Sequence, residues 1–267
     1  MKFIITLTVE HTKYGNRLPV NYQYELSAFI YHTLAHANSE YSAWLHENGF
    51  ATDTKRFKLF TFSNLILPSF KITDDRIEIL SQKAGLIVSF LPERSTEEFI
   101  KGLFSNQSFS IGDRQSKVQF SVTGIELLPL PDFNNTITYS SLSPVCITRR
   151  ETGTDRIIYE MPDSLYASDA LLMNLKNKYR AFHEKDTDSE IVFEYEPVSK
   201  IRSKLIAIKT NTAQQTKVKG YLFDFKLKTT PELAQIMYSS GFGEKNALGF
   251  GCVEVKENMK SIREKLK

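Results

Sequence analysis

Between Gly241 and Gly251 the chain reads GFGEKNALGFG, which places four glycines in eleven residues and one phenylalanine inside each Gly-Phe-Gly triplet. Glycine reaches positive φ without steric penalty and leaves room for a second backbone to come close. A fold containing this segment must therefore wrap other elements tightly around it. Successive N–H groups in such a run can also converge on an anion. That makes Gly241, Gly243, Lys245, Gly249 and Gly251 candidate contacts for a phosphate-bearing ligand. Two familiar phosphate loops are excluded by spacing: no Gly-Lys-Ser/Thr follows, and no glycine stands three residues after Gly243.

Hydrophobic spacing supplies the elements around it. Lys2 to Glu10 alternates Phe3, Ile5, Leu7 and Val9 with polar or small residues, the pattern of a half-buried strand. From Asn21 to Ala37 the period becomes helical, with Leu26, Phe29, Ile30 and Leu34 on one stripe and Asn21 as N-cap. A short helix over Ser39 to Glu47 stops at Gly49. Strand patterns follow at Phe57–Phe62, Leu65–Ile72, Arg76–Ile79 and Gly85–Phe90. Ser95 and Glu98 form a capping box that opens a helix, and strands at Phe109–Ile111 and Val118–Leu127 close this half.

The turn-rich Pro129–Asn135 is the expected domain boundary. A similar order then repeats. Strands are expected at Leu142–Thr148 and Arg156–Tyr159, and a helix over Ser164–Phe182 with Leu165, Leu172 and Leu175 on its apolar side. Strands at Ile191–Tyr195, Leu205–Lys209 and Lys217–Lys226 precede a helix at Pro231–Ser239 and a last strand at Phe250–Val255. The fold class is α+β: two tandem ferredoxin-like (RRM/RAMP-type) domains, 1–128 and 136–267.

The 267 residues are 41% hydrophobic and include nineteen Phe and twelve Tyr, ample core material with aromatics to spare for stacking on bases. No apolar run approaches the roughly 20 residues that cross a bilayer, and the first residues read as a strand rather than a secretion signal. With Cys146 and Cys252 as the only cysteines, a reducing cytoplasm is the expected compartment. Net charge is a mild +3, but Lys200, Arg202, Lys204, Lys209, Lys217, Lys219, Lys226 and Lys228 fall in a stretch whose one acid is Asp224. This is either a solvated sheet face or a phosphate-tracking surface. Arg149 and Arg150, beside a Gly-containing turn, are further candidate phosphate contacts.

The sequence GFGEKNALGFGCVEV resembles the C-terminal glycine-rich motif of the Cas6 family of CRISPR-associated endoribonucleases, within the repeat-associated (RAMP) superfamily. YQYELSAFIYHTL is similar to the family's first helix, and LHENGF followed by KLFTFS to its histidine region and next strand. Leu91 to Glu190 matches in element order alone. The resemblance implies tandem ferredoxin-like domains that bind CRISPR repeat RNA, as a single strand or a hairpin, and cut the precursor once per repeat. It implies cleavage without metal or other cofactor: the 2′-OH attacks phosphorus, leaving a 2′,3′-cyclic phosphate and a 5′-hydroxyl. The matching positions for the catalytic residues are Tyr31, His46 and Lys58. CRISPR effector subunits and a second copy of the chain are implied partners.

Such a reaction needs a base, an acid and a cation beside the crowded phosphate. At about 100° per residue, Tyr31 lies roughly 100° from the centre of the Leu26/Ile30/Leu34 stripe, clear of the core-facing side. Histidine, titrating near neutrality, is the best proton carrier of the three residue types. How acid and base divide between Tyr31 and His46 is open, and Lys55 or Arg56 can replace Lys58 as the cation. His32 and His36, i and i+4 on the far flank of the wheel, lack a third ligand for a metal. No G-x-S-x-G elbow occurs. The rival reading is a non-catalytic CRISPR RNA-binding subunit on the same scaffold; a small-molecule-binding α+β protein ranks behind it.

Overall fold

Alternation in the first strand builds one wall of a helix-covered sheet. In the computed structural model, which describes residues 1–151, 153–154, 156–187, 190–208 and 215–266, β1 (Lys2–Glu10) sends Phe3, Ile5, Leu7 and Val9 into one buried cluster. Period-two spacing puts all four on the same face. Helices α1 (Gln23–Ala37), α2 (Ser39–Glu47) and α3 (Glu93–Ser105) accompany this sheet. Its strands are β1, β2 (Phe60–Phe62), β3 (Lys83–Phe90), β4 (Ser108–Gly112) and β5 (Lys117–Leu127), in the spatial order β2-β3-β1-β5-β4. Setting aside the added edge strand β4, the order is second, third, first, fourth. That is the ferredoxin-like β-α-β-β-α-β arrangement.

The second half repeats it. β6 (Ile137–Ser141), α4 (Ala167–His183), β7 (Phe193–Pro197), the hairpin β8 (Arg202–Ile208) and β9 (Thr216–Leu222), then β10 (Asp224–Thr229), α5 (Pro231–Ser240) and β11 (Val253–Val255) follow in sequence. The sheet order is β7-β10-β6-β11, again second, third, first, fourth. The β8–β9 hairpin stands outside that sheet. The chain is thus α+β with two tandem ferredoxin-like units.

Several local expectations are corrected. α1 begins at Gln23 with no side-chain cap, and Asn21 Oδ1 is buried without a hydrogen-bond partner. α3 starts two residues before Ser95, so no capping box forms; the Ser95 hydroxyl instead bonds the Tyr41 hydroxyl inside the core. Leu165 precedes α4 and is 95% exposed, while Leu171, Leu175 and Tyr179 make the helix's apolar face. Within the expected Leu142–Thr148 strand, only Thr148 joins a ladder, opening the short pairing of Thr148–Arg150 with Ile157–Tyr159. Pro144 offers no N–H, and the run is held by single bridges from Val145 to Tyr221 and from Cys146 to Glu244. Lys217–Lys226 is two strands rather than one, parted at Phe223. Lys209 lies outside the described residues.

β1 was expected to face water on one side, yet Lys2 to Ile5 are all buried. The second half covers that back face. Ile4 and Ile87 pack against Cys252, Ile262 and Leu266, the last two brought by α6 (Asn258–Lys265) and its end, an element with no clear sequence signal. At this seam the Lys2 ammonium donates to the Val253 carbonyl at 2.5 Å and lies 3.6 Å from Glu254. It also sits 3.2 Å above the Tyr238 ring, and the Tyr238 hydroxyl donates to Glu254 at 2.8 Å. Burial pushes the Lys2 ammonium's pKa down.

The glycine-rich segment fills the remaining space between the halves. Phe242 enters the second core, stacked on Phe225 at 4.8 Å, and Phe250 packs with Ile206 and Val218. Gly251 has φ +71°, and a Cβ there would lie 2.0 Å from the Phe242 carbonyl oxygen. Gly251→Ala should therefore lower unfolding stability by roughly 2–4 kcal/mol, combining left-handed strain with overpacking. Gly153, at φ +82° with nothing within 4 Å of a Cβ, isolates the conformational part, at about 1–2 kcal/mol on changing to Ala. Urea titrations of both variants check the difference; equal losses would refute close packing as the cause.

Candidate active site

The first turn to the middle of α1, the end of α2 and the segment just before β2 converge on one cavity of about 670 Å³. The Tyr31 and His46 rings meet edge to face with centroids 4.9 Å apart. Tyr31 is further in than the helical wheel suggests: its ring abuts Phe60 at 5.5 Å and is half-buried. Burial pushes its phenol pKa well above the ordinary value, so the proton is held. Its carbonyl accepts from the Ser42 hydroxyl at 2.9 Å, which ties α1 to α2. His46 is exposed in the last turn of α2.

Lys58 does not open a strand. It falls between the short pairing of Phe50–Ala51 with Arg56–Phe57 and the start of β2, next to Leu59 at φ 51°. From there its ammonium donates to the His46 carbonyl at 2.6 Å. Desolvation, then the neighbouring Arg56 charge, lower its pKa. Arg56 reaches the Glu47 carbonyl at 3.5 Å, and Lys55 pairs with Glu244 at 3.6 Å. Of the three candidate cations, Lys58 is the one bonded to His46.

Opposite these residues, Lys245 to Leu248 form a wall. The expectation of exposed glycine N–H groups is corrected here. Gly241, Gly243, Gly249 and Gly251 are all buried. The Gly241, Gly249 and Gly251 N–H groups donate to the carbonyls of Met237, Asn246 and Pro144. The glycines shape the wall from beneath, while exposed Lys245 faces the cavity. Two hydroxyls of the first half fasten the wall: Ser27 donates to the Ala247 carbonyl at 2.7 Å, and Thr61 to that of Phe250 at 2.9 Å.

Sequence reasoning missed the floor of the cavity, which α4 supplies through Asn174 and Lys178. Lys178 is buried and donates to the carbonyls of Gly241 at 2.6 Å and Gly243 at 3.0 Å. Burial brings its pKa down to about 7. The one available signal was their i, i+4 spacing on the buried side of an otherwise apolar stripe. His32, set aside as a flank residue, also lines the cavity together with Tyr24. Cys146 and Cys252 are free and buried, their thiols pushed up to about 12, which removes both as nucleophiles. Among the described residues no three of His, Cys, Asp and Glu gather as a metal-binding group.

Residues 17–125 match the model of the CRISPR-associated protein Cas6 N-terminal region, and residues 128–255 that of the Cas6 C-terminal region. A CRISPR-associated endoribonuclease Cas6 of Methanocaldococcus jannaschii is 32% identical over 94% of this chain and 92% of its own length. The chain belongs to the Cas6 family. Another Cas6 endoribonuclease, from Pyrococcus furiosus, is 28% identical over 97% of this chain and 91% of its own. A solved CRISPR-associated protein Cas6 superposes with TM-score 0.76 at 29% identity, covering 96% of this chain and 98% of that one. A Cas6-related protein from Pyrococcus furiosus shares the fold at TM-score 0.81 and 24% identity, over 96% and 98% of the two chains.

The remaining candidate contacts of this Cas6 protein are dispersed. Arg149 is ion-paired with Glu160 and lies over the Tyr166 ring at 4.9 Å, whereas Arg150 is exposed. The basic run divides in two. Lys226 and Lys228 lie on the open face of β10, across from Glu196 and Glu194 of β7, as a solvated sheet face. Lys200 and Arg202 are exposed at the base of the β8–β9 hairpin, and Lys204 extends 6.0 Å from the Tyr22 ring of the first half, its pKa lowered by burial. No helix among the described residues is long and apolar enough to cross a membrane.

Lys178 makes a signed pH prediction. With its folded pKa at about 7 against an ordinary 10.5, the unfolded chain binds more protons between those values. The lysine's contribution to stability therefore rises with pH across that window and is flat below it, where both states are protonated. Lys178→Met keeps the stem and removes the titration. Thermal melts of the two proteins should show their stability difference moving in the wild type's favour from pH 7 to about 10; a pH-independent difference would contradict it.

Proposed function

We propose that this protein is a metal-independent endoribonuclease that cuts CRISPR precursor RNA within its repeats. The observation that carries the reading is the Tyr31–His46 ring pair, with Lys58 bonded to His46, at a cavity walled by the glycine-rich segment. Membership of a family whose relatives are named endoribonucleases supports the reaction class.

The roles follow from the local physics. Tyr31 holds its proton because burial penalises phenolate, so His46 is the group that takes the proton from the attacking 2′-OH. The 2′-oxygen bonds phosphorus as the bond to the 5′-oxygen breaks, and the Tyr31 phenol donates to that departing oxygen. His46 gains one proton, Tyr31 loses one, and solvent restores both. The Lys58 ammonium has one proton on the His46 carbonyl and others to offer the phosphate, whose added negative charge it stabilises. The products are a 2′,3′-cyclic phosphate and a 5′-hydroxyl. Lys200, Arg202, Lys204, Arg149, Arg150 and Lys245 provide cations along which the strand's phosphates run.

Labelled repeat RNA from the host's own CRISPR array, incubated with the protein in excess EDTA, tests this directly. Cleavage should persist in EDTA, vanish with a single 2′-deoxy substitution at the cut site, and fall by roughly 10²-fold or more in His46→Ala. Tight binding without cleavage would overturn catalysis in favour of an RNA-binding subunit, and loss of cutting in EDTA would overturn metal independence.

A further inference from the structure

Buried side-chain amides are almost always hydrogen-bonded, because leaving one unpaired costs roughly 1–3 kcal/mol. Asn174 is 5% exposed, and its Oδ1 has no hydrogen-bond partner. Of the residues with a buried, unpartnered side-chain atom among the described residues, Asn174 is the one that lines the cavity beside Tyr31 and His46. Its neighbours on α4 do not relieve it: Lys178, one turn on, is committed to the Gly241 and Gly243 carbonyls. Leu171 and Leu175 are sunk in the second core, which fixes the rotation of the helix and keeps Asn174 on the cavity side.

We propose that Asn174 is a base-reading residue, whose amide pairs with the edge of one unpaired nucleobase of the bound RNA. The inference rests on the RNA-cleaving function proposed above and adds to it a source of sequence preference. An amide sets a donor beside an acceptor, and a base edge presents the complement, as adenine does with N7 and its 6-amino group. A phosphate oxygen only accepts, so it would leave the amide oxygen unpaired. Unstacked bases are read in this way when an aromatic ring supports them, and Tyr24, 36% exposed, lines the same cavity from the first half.

The test separates binding from cutting by using the His46→Ala protein with and without Asn174→Ala. Affinity is measured for the repeat RNA and for a set in which each base in turn is replaced. With Asn174 present, one position near the cut site should show about 10-fold discrimination or more. Asn174→Ala should erase preference at that position and leave the others unchanged. Asn174→Asp, of the same shape but without the donor, gives the same readout if the alanine variant fails to fold. In the His46→Ala protein with Asn174 intact, an analogue lacking the base's pairing group at that position should reproduce the loss. Uniform weakening across the whole set, or preference retained in both variants, would overturn the proposal. Absence of any repeat RNA binding by the His46→Ala protein would instead remove the function on which it rests.

Discussion

A backbone carbonyl is a weak foundation for a binding wall unless something holds it, and here the Lys178 ammonium holds two. It donates to Gly241 and Gly243 from beneath, while Ser27 and Thr61 draw the far end of the loop towards the first half. Side chains at the glycines would occupy the space these contacts need: a Cβ on Gly243 would lie 2.5 Å from the Cys146 carbonyl oxygen. The loop is therefore a rigid partition, anchored by Phe242 in one cluster and Phe250 in another. Everything that faces the cavity from the second half takes its position from that partition or from the helix under it.

The same logic of shared surfaces joins the two sheets. The back of the first sheet would be an exposed apolar face, which soluble proteins rarely leave open. Cys252, Ile262 and Leu266 cover it. The charged Lys2–Glu254 pair within this seam is costly to bury and contributes little net stability by itself. Its hydrogen bonds to Val253 and Tyr238 fix register between the first strand and the last, which plain apolar packing does not. Fixed register between sheets is what allows side chains from α1, α2 and α4 to meet across one opening.

The duplicated β-α-β-β-α-β order was legible because hydrophobic period reports burial directly, and both halves carry it. Element ends were less so. Asn21 and Ser95 have the chemistry of caps, but tertiary demand won: Ser95 is spent on Tyr41 in the core, and Asn21 is bypassed. The closeness of Tyr31, His46 and Lys58 was expected from family resemblance, and no single-sequence argument supplies the 4.9 Å ring contact. Lys178 and Asn174 were hard to read for a physical reason, their i, i+4 spacing being the one signal. A lysine on an apolar stripe reads as an interruption until the carbonyls it serves, more than sixty residues away, come into view. The basic run shows the opposite limit: one stretch of sequence became two surfaces because β10 sets its lysines across from β7 glutamates while the hairpin carries the others.

The cavity draws its lining from Tyr24 through Leu248, and its partition comes late in the chain. Halves of such proteins fold as units during synthesis, the first emerging ahead of the second. A growing chain therefore displays Tyr31, His46 and Lys58 on a folded scaffold long before Lys245 to Leu248 exist. For that interval these side chains face an open cleft rather than a walled cavity. The opening is thus a product of both halves, and its far side is the last part of it to be made.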